Sequence, residues 1–259
     1  MGKTGREETG DTEKQWAFQY LVAMETGNAQ YLSNIEETYD FKILKGTDPE
    51  IVKVSGSKAY LFFKRAFDIV AAIVVGLVLL LFMPIIAAAI KLDSKGPVLF
   101  KQERVGKERK VFTMYKFRSM RVNSQADTAW SRDRDSRITP FGALIRKFSL
   151  DELPQFFNVL KGEMSVVGPR PELPYFVEQY KDNVPLYMVK HQVKPGITGW
   201  AQVNGYRGDT SIEKRIEHDI WYIENWSMYL DVKIIFMTIF GGMINKEKNL
   251  FADKQEQKV

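Results

Sequence analysis

An uncharged run of 22 residues, 69–90, constrains the fold of this chain more than any other feature. As a helix it would be about 33 Å long, because an α-helix rises 1.5 Å per residue. That length is enough to cross the hydrocarbon core of a bilayer, which is about 30 Å thick. The sequence therefore predicts that the chain contacts a membrane through this segment.

The run is interrupted by Met83-Pro84. A proline inside a helix removes one backbone hydrogen bond and bends the helix. Basic residues flank both ends of the run: Lys58, Lys64 and Arg65 before it, and Lys91, Lys95, Lys101, Arg104, Lys107, Arg109 and Lys110 after it. Because positive flanks stay in the cytoplasm, this pattern predicts a re-entrant helix that enters and leaves on the cytoplasmic side. A single pass with a tolerated proline remains the alternative.

Charge divides the chain into an acidic beginning and a basic remainder. Residues 1–57 hold six Lys/Arg and ten Asp/Glu, a net charge of −4, whereas the whole chain carries +5. The positive charges lie beside the apolar run, and no nucleic-acid motif accompanies them. We therefore expect membrane lipids, not nucleic acid, as the partner of the basic part. The chain has no cysteine, which excludes disulfides and thiolate metal sites.

Phosphate chemistry is indicated by the stretch from Arg146 to Glu172. Asp151 and Glu152 are adjacent carboxylates that can hold a divalent cation or attack phosphorus. Arg146 and Arg170 supply planar guanidinium groups suited to phosphate oxygens. Ser149 and Glu152 have the spacing of a capping box, which predicts a helix that begins near Asp151. Without further context, the carboxylate pair is also compatible with an ordinary helix start.

The predicted fold is α+β and mainly helical. Two segments have strand-like patterns, residues 98–100 and 111–114, and four have helical patterns, residues 140–147, 153–160, 174–180 and 212–224. Residues 234–244 form an apolar run that is too short to span a bilayer and follows several Trp and Tyr side chains. This run is compatible with an interfacial amphipathic helix or with a core helix.

Several short motifs, taken in order, resemble the bacterial sugar transferase family, the monotopic phosphoglycosyl transferases. They are Lys64-Arg65-Ala66-Phe67-Asp68, Gly96-Pro97-Val98-Leu99-Phe100, Lys116-Phe117-Arg118-Ser119-Met120, Leu150-Asp151-Glu152-Leu153-Pro154-Gln155, Gly168-Pro169-Arg170-Pro171 and Lys194-Pro195-Gly196-Ile197-Thr198-Gly199. Each motif alone is weak, but the ordered series is specific. The resemblance covers about residues 58–250.

This resemblance implies transfer of a hexose 1-phosphate from a UDP-sugar to undecaprenyl phosphate, with release of UMP. It implies Asp151 as the nucleophile that carries an aspartyl-phosphosugar intermediate, with Glu152 as a metal ligand or proton-transfer group. Mg²⁺ would be held by both carboxylates. Lys116, Arg118, Arg146 and Arg170 would bind the diphosphate and the lipid phosphate.

The resemblance also places the protein on the bacterial cytoplasmic membrane, with its active site on the cytoplasmic face. Its reaction would prime the synthesis of exopolysaccharide, capsule, lipopolysaccharide or another surface glycan, and homo-oligomerisation stays open. The predicted organisation has an acidic extension at 1–57, the re-entrant helix region at 58–95, a catalytic domain with interfacial helices at 96–250 and a polar tail at 251–259.

Two other kinds of protein remain compatible with the sequence. In a membrane-anchored scaffold, Asp151 and Glu152 would merely begin a helix. In a metal-dependent D-x-D glycosyltransferase, Asp133-Arg134-Asp135 would hold the metal on the diphosphate. The arginines interleaved with these aspartates favour a solvated, self-neutralising loop instead.

Overall fold

A computed structural model describes residues 58–122, 137–184, 186–208 and 210–244. The acidic extension, Asp133-Arg134-Asp135 and the polar tail lie outside the described residues. The described part contains seven α-helices and two small sheets, which confirms a mainly helical α+β fold. The helices are α1 Lys58–Asp93, α2 Pro140–Lys147, α3 Gln155–Lys161, α4 Pro174–Tyr180, α5 Trp200–Val203, α6 Ile212–Glu224 and α7 Met228–Ile244. The strands are β1 Leu99–Val105, β2 Val111–Phe117, β3 Ser165–Val167 and β4 Gly196–Thr198.

Local sequence signals set the starts of two helices, α2 and α6. Helix α2 has Pro140 at its first turn, and the Thr139 side chain accepts a hydrogen bond from the Gly142 amide. Helix α6 is capped in the same way by Ser211, which accepts from the Lys214 amide. Such caps satisfy backbone donors that have no partner within the helix. The helices predicted at 140–147, 174–180 and 212–224 are confirmed with these bounds.

Helix α1 is the one helix in the described part of the chain that is long and apolar enough to cross a membrane. It runs through Pro84 without interruption to Asp93. One side of it packs on the domain near each of its ends. Near its start, Ala72 lies in the main core, and near its end Met83, Ile86 and Ile90 pack with Phe117 and Ile145.

The opposite side of α1 is exposed and apolar. It includes Phe62, Phe63, Val70, Ile73, Val74, Leu77, Val78, Leu80, Leu81 and Ile85. Helix α7 is divided in the same way: Leu230 and Ile234 are buried, whereas Tyr229, Phe236 and Ile239 are exposed. One side of α7 therefore packs as a core helix would, and the other presents an apolar surface as an interfacial helix would. Each of the two interpretations of residues 234–244 describes one side of this helix.

The two sheets bring distant parts of the chain together. Strands β1 and β2 form an antiparallel hairpin with Leu99 opposite Phe117. Strands β3 and β4 are parallel, with Ser165 opposite Gly196 and Val167 opposite Thr198. Strand β3 leads directly into Gly168-Pro169-Arg170-Pro171, the segment that carries Arg170 to the site.

Candidate active site

Asp151 and Glu152 lie in a short 3₁₀ turn, Leu150–Glu152, between α2 and α3. Ser149 before it adopts a left-handed conformation, with φ of 54°, and its side chain makes no capping hydrogen bond. The predicted capping box is therefore wrong, and α3 begins at Gln155, with Pro154 before it. The physical reason is that the Glu152 carboxylate binds a lysine on β2 instead of the backbone at Ser149.

Glu152 is held between two cations. Its Oε1 atom lies 2.7 Å from Lys116 Nζ and 3.6 Å from Arg170 Nη1. Burial alone would raise the pKa of Glu152, but the charges of Lys116 and Arg170 outweigh it and lower the pKa to about 2. Glu152 is therefore an ionised acceptor at any pH at which the protein would work.

Asp151 is buried, with 7% of its surface exposed. Burial and the neighbouring Glu152 carboxylate raise its pKa, while the charges of Lys116 and Arg146 act in the opposite direction. The adjacent carboxylates thus have opposite pKa shifts. Such separation is common where two acidic groups have different chemical roles.

Arg170 is presented by a stiff backbone. The Gly168 amide donates to the Thr198 carbonyl, and the Gly196 amide donates to the Pro169 carbonyl, both at 2.9 Å. A methyl group at Gly196 would overlap the Gly168 amide nitrogen, and one at Gly168 would lie 2.5 Å from the Lys194 carbonyl oxygen. Glycine is needed at both positions because the two backbones touch.

Arg118 occupies a different place from the other predicted cations. Its Nη2 atom donates to the carbonyls of Ser94 and Ile90, at 2.5 and 3.2 Å, at the end of α1. A cation is favourable there because helix carbonyls leave a partial negative charge at that end. Lys116, Arg146 and Arg170 all act on the carboxylate pair, whereas Arg118 joins α1 to the strand that carries Lys116. Its role toward substrate stays a prediction.

Met83 and Pro84 mark the predicted break in the membrane helix. Met83 is partly buried against the cluster of Ile90, Phe117 and Ile145, and Pro84 is exposed. The helix continues through both residues. The re-entrant path therefore stays a prediction.

Arg207 belongs to the electrostatic environment of the site, although the sequence analysis did not select it. It is exposed on the loop between α5 and α6, and its positive charge also lowers the pKa of Glu152. Nothing local marks this residue, because it is 55 positions away from Glu152 in the chain. Only the folded arrangement brings the two charges near each other.

The carboxylate pair offers a small set of donors for a magnesium ion. Among the described residues no group of three or more His, Cys, Asp or Glu could hold a metal ion. Mg²⁺ in enzymes of phosphate chemistry commonly uses one or two carboxylates and takes its other ligands from phosphate and water. Asp151 and Glu152 fit that smaller donor set, even though Oε1 of Glu152 is already paired with Lys116.

Comparison with known proteins assigns the family. Residues 59–245 match the family described as "Bacterial sugar transferase". Since this match covers most of the chain, the protein belongs to the bacterial sugar transferase family, in agreement with the resemblance seen in the sequence.

Three relatives illustrate the range of this family. The chain is 45% identical to UDP-glucose:undecaprenyl-phosphate glucose-1-phosphate transferase of Klebsiella pneumoniae over 246 residues, which are 89% of this chain and 52% of the relative. It is 51% identical over 189 residues to UDP-N-acetylgalactosamine-undecaprenyl-phosphate N-acetylgalactosaminephosphotransferase of Aeromonas hydrophila, covering 71% of this chain and 44% of the relative. It is 45% identical over 192 residues to the exopolysaccharide production protein PSS of Rhizobium leguminosarum bv. phaseoli, a match that covers 71% of this chain and 96% of the relative.

The chain thus spans about half the length of the Klebsiella and Aeromonas proteins. The sugars in their names differ, although both identities are near one half. Overall identity to these relatives consequently leaves the sugar open.

Proposed function

We propose that this protein transfers a hexose 1-phosphate from a UDP-sugar to undecaprenyl phosphate and releases UMP. The observation that carries the proposal is the turn at Asp151, where a buried carboxylate lies beside a second one that is ion-paired with Lys116 and Arg170. Relatives whose names specify different sugars share undecaprenyl phosphate as the acceptor.

In the first step, a carboxylate oxygen of Asp151 attacks the phosphorus that bears the sugar. A bond forms between this oxygen and phosphorus, the bond to the bridging oxygen of the diphosphate breaks, and UMP leaves with the electron pair. Arg146, Arg170 and Lys116, whose charges act on the carboxylate pair, would neutralise the phosphates, which otherwise repel an anionic nucleophile. The product is an aspartyl-phosphosugar on the protein.

In the second step, a phosphate oxygen of undecaprenyl phosphate attacks the same phosphorus. The bond to Asp151 breaks, the carboxylate is regenerated and the lipid diphosphate sugar departs. Glu152 stays ionised throughout because Lys116 and Arg170 lower its pKa to about 2. As such a weak base, it is better suited to hold a cation than to accept a proton.

Magnesium fits this site as a cofactor. Asp151 and Glu152 would hold Mg²⁺, which supplies charge neutralisation of the diphosphate when bound. Oε1 of Glu152 is directed to Lys116, so the other carboxylate oxygens would be the donors to the metal.

The packing of α1 supports a location on one side of the membrane. Near its start, Lys64 Nζ lies 2.7 Å from Asp231 Oδ2 on α7, and at its end Arg118 donates to the Ile90 carbonyl. One folded domain therefore holds both ends, whereas a helix crossing a bilayer places its ends on opposite sides. These contacts support a re-entrant α1, with the catalytic domain on the cytoplasmic face because the flanks are basic.

Product analysis tests this function. Purified protein would be incubated with radiolabelled UDP-glucose, UDP-galactose or UDP-N-acetylgalactosamine and undecaprenyl phosphate, with and without Mg²⁺. Lipid-linked label together with UMP supports the proposal, and loss of product with a chelator supports the cofactor. Release of UDP would indicate a D-x-D glycosyltransferase. Absence of turnover with all three sugars would favour the membrane-anchored scaffold.

A further inference from the structure

Arg215, in the first turn of α6, is among the most buried side chains of the described residues, with 1% of its surface exposed. Its guanidinium group binds two segments that are far apart in the chain. Nη1 donates to Glu172 Oε1 at 2.9 Å, and Nη2 donates to the Gly208 carbonyl at 2.6 Å. A single rigid fork therefore fixes the distance between these two segments.

Both segments deliver a cation to the carboxylate pair. Glu172 follows Arg170 by two residues, and Arg170 Nη1 lies 3.6 Å from Glu152 Oε1. Gly208 directly follows Arg207, whose charge also acts on Glu152. The two short hydrogen bonds of Arg215 thus go to segments that each carry one of these cations.

Glu172 is held from several sides. Its carbonyl accepts from the Val105 amide at 2.9 Å, and Arg104 Nη1 donates to the Pro171 carbonyl at 3.2 Å. The Glu172 carboxylate also lies 3.9 Å from Lys190 Nζ. Burying several charges is costly, and a core of apolar residues would serve stability as well. Such a cluster is better explained by the need for one fixed geometry, which directional charged hydrogen bonds provide.

We propose that Arg215 and Glu172 are positioning residues that set Arg170 and Arg207 around the diphosphate of the nucleotide sugar donor. This inference rests on the proposed function, and it deepens that function by separating the donor subsite from the lipid acceptor. Loss of the pair moves two donor-binding cations but leaves Arg146 and Lys116 on α2 and β2. The donor should therefore bind more weakly, while the acceptor should bind as before.

The test uses the double variant Glu172→Leu/Arg215→Met, which removes both buried charges of the pair together. UDP affinity would be measured by calorimetry, and KM would be determined separately for the UDP-sugar and for undecaprenyl phosphate. Arg215→Lys is the second variant, since its single nitrogen cannot occupy the positions of both Nη1 and Nη2 and so loses the rigid fork. Ile216→Val is the control, because this neighbouring residue is equally buried and its truncation lowers stability without touching the pair.

We expect the double variant to raise the Kd for UDP and the KM for the UDP-sugar about tenfold, with the acceptor KM unchanged within about twofold. Arg215→Lys should raise the Kd for UDP and the KM for the UDP-sugar by about threefold or more. If the double variant does not fold, the Arg215→Lys variant alone tests the positioning role. Ile216→Val should leave all of these constants as in the wild type.

Equal donor and acceptor effects, or donor constants like those of the wild type in variants that fold, would overturn the positioning role. A wild-type protein that neither binds UDP nor turns over would instead overturn the proposed function, and this inference with it. If the wild type turns over and Arg215→Lys has the wild-type Kd for UDP and KM for the UDP-sugar, only the positioning role is overturned and the proposed function stands.

Discussion

Replacement of Lys116 by methionine should destabilise the protein in a way that depends on pH. Lys116 Nζ lies 2.7 Å from Glu152 Oε1, and both side chains are largely buried. The pKa of Glu152 is about 2 in the folded protein, compared with an ordinary value of 4.5. This difference corresponds to about 3 kcal/mol of stabilisation at neutral pH.

Lys116, Arg170 and Arg207 share this stabilisation. Lys116 acts through both its charge and a hydrogen bond, and its Nζ atom lies closer to Glu152 Oε1 than Arg170 Nη1 does. We therefore assign about 2 kcal/mol to Lys116, which corresponds to a loss of about 4–8 °C in Tm for a domain of this size. Because the folded-state pKa is the lower one, the stabilisation is complete above pH 4.5 and is lost as the pH falls toward 2. The difference in stability between wild type and variant should thus narrow by roughly a fifth at pH 3.5 and by more than half at about pH 2.5.

The assay is thermal unfolding in one detergent at about pH 7.5 and about pH 2.5. Lys181→Met is the matched control, because Lys181 pairs with Glu178, an exposed carboxylate on α4. Exposed ion pairs contribute less than about 1 kcal/mol to stability, so the Tm of this control should fall only slightly. A stabilising role of the Lys116–Glu152 ion pair is refuted if Lys116→Met lowers the Tm no more than Lys181→Met does. It is also refuted if Lys116→Met lowers the Tm equally at both pH values.

Three further outcomes are expected. Asp151→Asn should keep less than about a hundredth of the wild-type rate, a loss of about 3 kcal/mol or more in barrier terms, whereas Glu152→Gln should keep a measurable trace in the same radiolabel assay. Cysteines placed at Lys58 and Lys95 in this cysteine-free chain should both react with an impermeant maleimide only from the cytoplasmic side, and labelling from opposite sides would exclude the re-entrant helix. Gly196→Ala should lower the free energy of unfolding by about 1–3 kcal/mol, measured by urea titration, because its methyl group would overlap the Gly168 amide; an unchanged midpoint would contradict the tight backbone contact.

Local sequence signals predicted the helices of this protein well. Pro140 and Pro174 begin helices where the sequence placed them, since a proline at the first turn needs no hydrogen-bond partner for its nitrogen. The strand predictions were too short at their ends, because β1 and β2 run on to Val105 and Phe117. Pairing across the hairpin extends both strands beyond the residues whose side chains favour a strand.

Contacts between distant residues were beyond the reach of local patterns. Ser149 and Glu152 have capping-box spacing, yet Lys116, 36 positions away from Glu152, takes the carboxylate. Arg215 and Glu172 are likewise 43 positions apart. Their pairing depends on the fold as a whole: Glu172 ends the stretch that indicates phosphate chemistry, but nothing in the sequence connects it to Arg215.

The central claim is that Asp151 carries the phosphosugar, and the mass of the protein tests it most directly. The protein would be mixed with Mg²⁺ and a UDP-sugar that supports turnover, without undecaprenyl phosphate, and measured intact after acid quenching. We predict a mass gain of one sugar phosphate per reactive site, mapped to the peptide that contains Asp151, with an equal amount of UMP and loss of the adduct once the lipid is added. Turnover to lipid-linked product with no adduct at any time before the lipid is added would contradict the covalent route and indicate direct transfer between the two substrates.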